Sequence, residues 1–353
     1  MNLFEQFIKE RQTSEVPLII WGSAVLAKKT ASFLRTHRLS FDGFAVNEIF
    51  YHDSELDGSP IFKIEDYVNK NICDIIIGFG NFKSDMLSNL NKKNINHIYE
   101  MDLAGILVLD EINVWGDDFF SKHQEELYSI REKLSDTQSQ KDFDSFVEQK
   151  RTGCYTKEYA PNALFDEPFL RYNTDEIFID CGAYHGESSL EFIKAISKQQ
   201  KSSLKKIFAV EPESTNIRLL KKELSPYKDK IEIVEAAVGN KSGYSMFSSG
   251  RADQSRLDDT GDQRIAIKKI DDFTNNEKVS FIKMDVEGAE IQALQGAVET
   301  IKRNTPKLAI SIYHRPLDLF HIYSFINSLS LGYNFYFRNY MPSGVDSILF
   351  AIK

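Results

Sequence analysis

The sequence predicts an α/β protein built from two open, largely parallel sheets in series, and three observations carry that reading. Short apolar runs bounded by turns alternate with helical patterns, at Pro17–Trp21, Phe41–Val46 and Asp74–Gly78 and again at Ile177–Asp180, Lys206–Glu211 and Val279–Asp285. The runs ending at Trp21 and Asp180 each pass into a glycine-bearing turn and then a helix, the unit that places ligands at the end of a strand. Finally, 353 residues exceed what one core usually organises. We therefore divide the chain into a smaller Rossmann-like α/β module at 1–115, a helical connector and pocket cover at 116–172, and a doubly wound domain at 173–353.

Composition narrows the classes. A hydrophobic content of 42% is ordinary for a globular protein, and no apolar run approaches the roughly twenty residues that span a bilayer. Met1–Glu10 reads as a short amphipathic helix without a basic flank or cleavage site, so cytoplasmic residence and no membrane partner are the expectation. The three cysteines, Cys73, Cys154 and Cys181, are odd in number and far apart, which argues against a disulfide framework and a CxxC zinc site. A net charge of −9 disfavours a nucleic-acid backbone as partner.

In the N-terminal module, a strand at Pro17–Trp21 leads through Gly22 to a helix over Ala24–Leu34, then to strands at Phe41–Val46 and Asp74–Gly78. The order resembles the nucleotide-sugar or sensor-type modules of sugar-modifying enzymes. Gly22 to Ala27 keeps one of the three glycines that a pyrophosphate turn uses, so side chains obstruct a close phosphate. Asn47 and Glu48 stand where a ribose-binding acid would lie. Two roles stay open, a nucleotide site and a docking platform through which a homo-oligomer would form.

From Asp117 to Lys150 the chain is polar, with Leu127, Ile130, Leu134, Phe143, Phe146 and Val147 at helical spacing. The segment that follows, through Tyr155, Tyr159, Phe165, Phe169 and Tyr172, is aromatic and of mixed charge. It covers a pocket or caps a sheet edge.

The turn after Ile177–Asp180 holds Gly182 and Gly186 but also Tyr184, His185 and Glu187. Acids there would repel a pyrophosphate, whereas S-adenosyl-L-methionine has no phosphate and carries cationic sulfonium and amino groups. On this reading Asp180 and Gly182 line the methionine end, and Gly186 keeps the turn clear. Glu211 accepts hydrogen bonds from the ribose hydroxyls, and Pro212 redirects the chain. Ala236 and Ala237 leave room for adenine, with Glu235 near its amino group. Helix capping by Asp180 and simple packing of the alanines account for the same residues equally well.

Beyond these, Gly243–Gln263 is too polar for a core element and reads as a surface loop or hairpin near the substrate mouth. Strands at Ile265–Ile270, Tyr333–Phe337 and Ser347–Ile352 complete the sheet. Asp285 ends its strand at the ligand-binding edge, and Glu287 and Glu290 fall in the first turn of the next helix, where they either face an acceptor or serve the helix dipole. His314 closes the strand Leu308–Tyr313. These four residues, Asp285, Glu287, Glu290 and His314, form a candidate acceptor site with His314 or Asp285 as general base. Tyr155, Tyr184 and Tyr313 offer ring faces to a sulfonium, and His185 and Arg315 offer contacts to a hydroxyl-rich or carboxylate acceptor. The same acids and imidazole can hold a divalent metal, but one imidazole among hard ligands is a loose pattern, so a metal is not favoured.

Taken in order, the glycine turn, Ala209–Pro212, Glu235–Asn240, Lys283–Ala297, Ile310–Arg315 and Gly332–Arg338 resemble the FkbM family of S-adenosylmethionine-dependent methyltransferases, from about Phe146 to the C-terminus. The resemblance implies a class I methyltransferase domain, a seven-stranded sheet with one antiparallel strand, and O-methylation of a small metabolite, sugar or glycan precursor. Two rivals stand beside it. One is a nucleotide-linked oxidoreductase or sugar-modifying enzyme centred on the N-terminal module; the other is a non-catalytic adenosyl-cofactor sensor that binds a partner.

Overall fold

A computed structural model describes the chain except for residues 1–2, 53, 80–83, 100–116, 153–159, 249–255, 258–262, 342–343 and 345. Tyr155, Tyr159 and Cys154 lie outside the described residues. The chain divides into two compact units, one comprising Met1–Leu127, Phe143–Tyr159 and Met341–Val345, the other Tyr128–Asp142, Ala160–Tyr340 and Asp346–Lys353.

The first unit holds a six-stranded sheet of β1 (Leu18–Trp21), β2 (Gly43–Val46), β3 (Glu55–Leu56), β4 (Ser59–Lys63), β5 (Cys73–Ile77) and β6 (Ile95–Tyr99), in the order β3-β4-β2-β1-β5-β6. All its pairings are parallel except the β3–β4 hairpin. Strands β1, β2 and β5 are buried throughout, which is why they read as unbroken apolar runs. Asp74 interrupts β5 because Arg11 of the helix Leu3–Thr13 reaches it at 2.5 Å, with both side chains buried. The sequence reading missed the β3–β4 hairpin, whose polar edge residues carry no strong alternation.

Gly22 is required by geometry rather than by a phosphate. Its φ is +138°, and a Cβ there would stand 2.6 Å from the carbonyl oxygen of Gly78. Asn47 accepts a hydrogen bond from Trp21 Nε1 at 3.3 Å, and Glu48 is paired with Lys63 at 2.7 Å. Both are thus engaged within the unit.

The second unit contains a seven-stranded sheet in the order β16-β17-β15-β14-β7-β8-β9: β7 (Glu176–Cys181), β8 (Leu204–Glu211), β9 (Ile231–Glu235), β14 (Phe281–Met284), β15 (Lys307–Ser311), β16 (Asn334–Asn339) and β17 (Ser347–Ile352). Only β17 runs against the rest, so the sheet has the expected single antiparallel strand. A smaller sheet joins β10 (Ala237–Val238), β11 (Gly243–Ser248), β12 (Arg256–Leu257) and β13 (Gln263–Lys268). The polar stretch after Gly243 is therefore partly a hairpin, β11 running antiparallel to β13.

One face of the large sheet is filled by an aromatic cluster in which Phe165, Phe178, Phe192 and Phe281 pack ring to ring at 4.2–5.6 Å. Such edge-to-face and offset pairs add to area burial and fix the position of the helix Glu187–Lys198, which carries Phe192. Arg338 on β16 is buried among Glu167 at 2.9 Å, Asp136 at 2.8 Å and Ser139 Oγ at 2.7 Å. No helix among the described residues is long and apolar enough to cross a membrane.

Candidate functional site

The parallel strands β7, β8, β9 and β14 end at one edge of the sheet, and their register decides what meets there. Cys181 of β7 is paired with Met284 of β14, so the residues that follow, Gly182 and Asp285, stand side by side. The contact is too close for any side chain: φ at Gly182 is +78°, and a Cβ would lie 1.9 Å from the Asp285 carbonyl oxygen. A cavity of about 500 Å³ opens over this junction. Gly182, Ala183, Tyr184, Lys283 and Asp285 line it from the sheet, Glu187, Ser188 and Glu191 from the following helix, Ala160 to Phe165 without Pro161 from the incoming segment, and Tyr340, Asp346 and Ile348 from the last hairpin. The aromatic-rich lead-in segment thus contributes cavity wall.

Asp180 is not part of that wall. Fully buried, it accepts hydrogen bonds from Ser188 Oγ at 2.6 Å and Ser189 Oγ at 2.7 Å, and Lys283 Nζ lies 3.5 Å from its other oxygen. It secures the turn and the helix start from beneath, which corrects the expectation that it lines the methionine end. Gly186 closes the same turn. With φ of +102° it starts the helix, and a Cβ there would press on Leu220 and Leu224 at 3.1 Å.

Glu211 is 5% exposed and already accepts N–H groups from Tyr184 at 3.0 Å, Glu213 at 3.0 Å and Asn216 Nδ2 at 3.2 Å. Burial pushes its carboxyl above the ordinary value although these three donors oppose the shift. A carboxylate offers about four acceptor sites, so about one remains for a ribose hydroxyl, fewer than the two the sequence reading assumed. Glu235 is exposed and paired with Lys221 at 2.6 Å, Ala236 is buried, and Ala237 and Pro212 are partly buried. These residues gather at the ends of β8 and β9 and do not line the cavity.

Lys283 is the residue that the sequence reading passed over. It sits in the buried strand Phe281–Met284, and its ammonium lies 3.5 Å from Asp180 and 3.8 Å from Asp285. Burial opposes its charge, but Asp180 and then Asp285 outweigh burial and hold its pKa above the usual lysine value. A lone lysine inside an apolar strand was the available signal, since an unpaired buried ammonium is not tolerated. Asp285 shows the converse balance: burial raises it, and Lys283 followed by His314 lowers it further, leaving it below the ordinary carboxyl range. Asp346, also on the wall, is pushed up to about 6 by burial and by Asp285.

Behind Asp285, His314 is 1% exposed and faces three carboxylates: Glu290 Oε1 lies 2.9 Å from Nδ1, and Asp285 Oδ1 and Glu287 Oε2 lie 3.5 and 3.6 Å from Nε2. Burial disfavours the imidazolium, yet Glu290, Asp285 and Glu287 outweigh it and raise the pKa to about 10. His314 does not line the cavity. The sequence reading offers it as a general base, and the structure sets it behind Asp285 among carboxylates. The helix after the acidic corner begins at Glu290, so Glu287 precedes its first turn, with φ of +54°. Glu290 turns back instead, its Oε1 accepting the Val286 N–H at 2.9 Å and the Gly288 N–H at 3.4 Å.

Of the remaining candidates, Tyr313 donates its hydroxyl to Asp285 Oδ1 at 3.1 Å, while Tyr184 is 39% exposed and stacks on His185 at 3.7 Å. Arg315 lies against Gly288, where an added Cβ would stand 2.7 Å from its Nε.

Residues 180–335 match the Methyltransferase FkbM domain. The chain carries a methyltransferase FkbM domain. Its glycine turn, Glu211, Asp285 and His314 all fall inside the matched span. A methyltransferase FkbM of known structure from Methylobacillus flagellatus aligns with 99% of this chain and 94% of its own, at 21% identity and a TM-score of 0.76, so the fold is shared across both units' sequence. Smaller solved methyltransferases align less well. A precorrin-6y C5,15-methyltransferase from Geobacter metallireducens covers 57% of this chain and 93% of its own at 13% identity, with a TM-score of 0.33. A putative methyltransferase from Streptococcus mutans, in complex with SAH, covers 51% and 89% at 12% identity, with a TM-score of 0.31. No curated protein matches the chain. The domain match carries the assignment of residues 180–335 as a methyltransferase domain.

Proposed function

We propose that the FkbM domain transfers a methyl group from S-adenosyl-L-methionine to a hydroxyl oxygen of a small metabolite, sugar or glycan precursor. The observation that carries this reading is the cavity over the Gly182–Asp285 junction, at the carboxyl edge of β7 and β14. The residues present fit such a donor in kind. The Gly182 turn leaves its backbone open, Tyr184 presents an exposed ring, and Glu211 retains capacity for a hydroxyl. When bound, the donor supplies an electrophilic methyl carbon on a sulfonium.

The protein's own work is to hold an acceptor oxygen in line with that carbon, which lowers the barrier by prepaying orientation. Asp285, Glu187, Glu191 and Asp346 give the cavity four carboxyl groups, and Asn162 adds an amide. Phe165, Tyr184 and Tyr340 supply flat apolar surface beside them. Polar acceptors set among rings suit a hydroxyl-rich molecule such as a sugar. Asp285, steadied by Tyr313 and Lys283, takes the hydrogen bond of the reacting hydroxyl.

A labelled-donor screen of cell extract tests the reading directly. A product gaining one methyl group, lost in Asp285→Asn, is the expected result. Calorimetry supplies the second arm: selective binding of NAD in place of S-adenosylmethionine and S-adenosylhomocysteine overturns the reading, and donor binding without any labelled product favours a sensor.

A further inference from the structure

Lys283 brings to the cavity N–H groups that the protein leaves without acceptors. The residue is 7% exposed, yet it lines the cavity beside Gly182 and Asp285. Register sets it between Asp180 on β7 and Ala309 on β15, and the alanine side chain accepts nothing. The nearest carboxylate oxygens stand 3.5 Å from Nζ on Asp180 and 3.8 Å on Asp285. A charge-assisted hydrogen bond spans about 2.7–2.9 Å, so both contacts attract the ammonium without taking up its N–H groups. Buried donors are ordinarily hydrogen-bonded, and a nine-tenths-buried ammonium in this state, on a cavity wall, points to a ligand atom.

The charges around it say which kind. Among the described residues that line the cavity, Lys283 is the one cation, set against carboxyl groups from Glu187, Glu191, Asp285 and Asp346. S-adenosyl-L-methionine carries two cationic centres, the sulfonium and the amino group, and one anion, its α-carboxylate. The cationic centres suit the carboxyl-rich wall, whereas the carboxylate is repelled everywhere except beside the ammonium.

We propose that Lys283 Nζ donates a hydrogen bond to the α-carboxylate of S-adenosyl-L-methionine and thereby orients the amino-acid end of the methyl donor. The inference rests on the methyl-donor reading above and deepens it. Asp180, beneath the turn, and Asp285 keep the ammonium charged against the opposing effect of burial. Lys283 is then a residue that binds the methyl donor, and the acceptor hydroxyl is left to Asp285.

Calorimetry of the full chain with S-adenosyl-L-methionine and with its decarboxylated form, which lacks only that carboxylate, tests the proposal. The readout is the ratio of the two affinities, compared between Asp180→Asn, which keeps the ammonium, and Lys283→Met/Asp180→Asn, which removes it and strands no buried acid. The preference for the carboxylate-bearing form should fall about tenfold or more in the double variant, the effect of losing a hydrogen bond between two charged groups. A ratio that is the same in both variants overturns the proposal. Circular dichroism verifies the fold, and Lys283→Gln/Asp180→Asn takes the place of the methionine variant if that chain does not fold. Failure of wild type to bind either form overturns the methyl-donor reading itself, whereas binding with an unchanged ratio overturns only the role given to Lys283.

Discussion

Replacing Lys283 with Met should be the most damaging change in the sheet that leaves its volume intact. The ammonium stands 3.5 Å from Asp180 and 3.8 Å from Asp285. At an effective dielectric of about 20, each separation corresponds to about 4–5 kcal/mol of gross attraction, before the cost of desolvating the three groups. The variant keeps Asp180 fully buried with two serine hydroxyls as its hydrogen-bond donors and no cation beside it. Breaking a buried pair by removing one partner typically costs about 3–5 kcal/mol, and that is the loss expected here. Removing the second charge should restore most of it, so Lys283→Met/Asp180→Asn should come within about 2 kcal/mol of wild type. Urea unfolding followed by circular dichroism, with amide exchange in β7 and β14 to localise the change, supplies the numbers. A single variant within about 1 kcal/mol of wild type would refute the claim that Lys283 neutralises Asp180. So would a double variant no more stable than the single one.

Three further outcomes follow from the geometry. Gly182→Ala combines a φ of +78° with a Cβ placed 1.9 Å from a backbone oxygen, so it should lose about 2–4 kcal/mol of stability and donor binding by calorimetry; wild-type behaviour in both would contradict the close approach. Arg338→Met strands the buried Glu167 and should cost about 3–5 kcal/mol in denaturant, much of it recovered by adding Glu167→Gln; no recovery would mean that packing against Phe169 dominates. Burial, opposed by Gln138 and Arg338, raises Asp142 to about 6, above the roughly 3.9 of an unfolded chain. The native state therefore holds this proton more tightly, and its contribution is complete below about pH 4 and lost as pH rises through 6. Asp142→Asn should accordingly match wild type near pH 4 and gain up to about 3 kcal/mol by pH 8, and parallel stability curves across that range would exclude the effect.

Much of the architecture was legible because burial on both faces of a parallel sheet writes itself as an apolar run. β1, β5, β7, β8 and β14 were each readable in this way, and the glycines at 22 and 182 marked where strands gave way to helices. The β3–β4 hairpin was not legible, since a short edge pair leaves no strong alternation. Asp180 and Glu211 were found as acids at strand ends, but their orientation was not. Whether a carboxylate faces ligand or the protein's own N–H and hydroxyl groups depends on donors that arrive from Ser188, Ser189, Tyr184 and Asn216.

The order of residues along the chain determined the α/β class, the strand ends that carry acids, and the family resemblance, because these depend on periodicity and on motifs local in sequence. Tertiary structure alone decided that Lys283 neutralises Asp180, that Glu287 and Glu290 take opposite sides of His314, and that Asp285 reaches both the cavity and the imidazole. Those relations are distances of 2.9–3.8 Å between groups on different elements. Sheet register and the left-handed turn at Glu287 set such distances, and Coulomb energy and hydrogen bonding respond to them steeply.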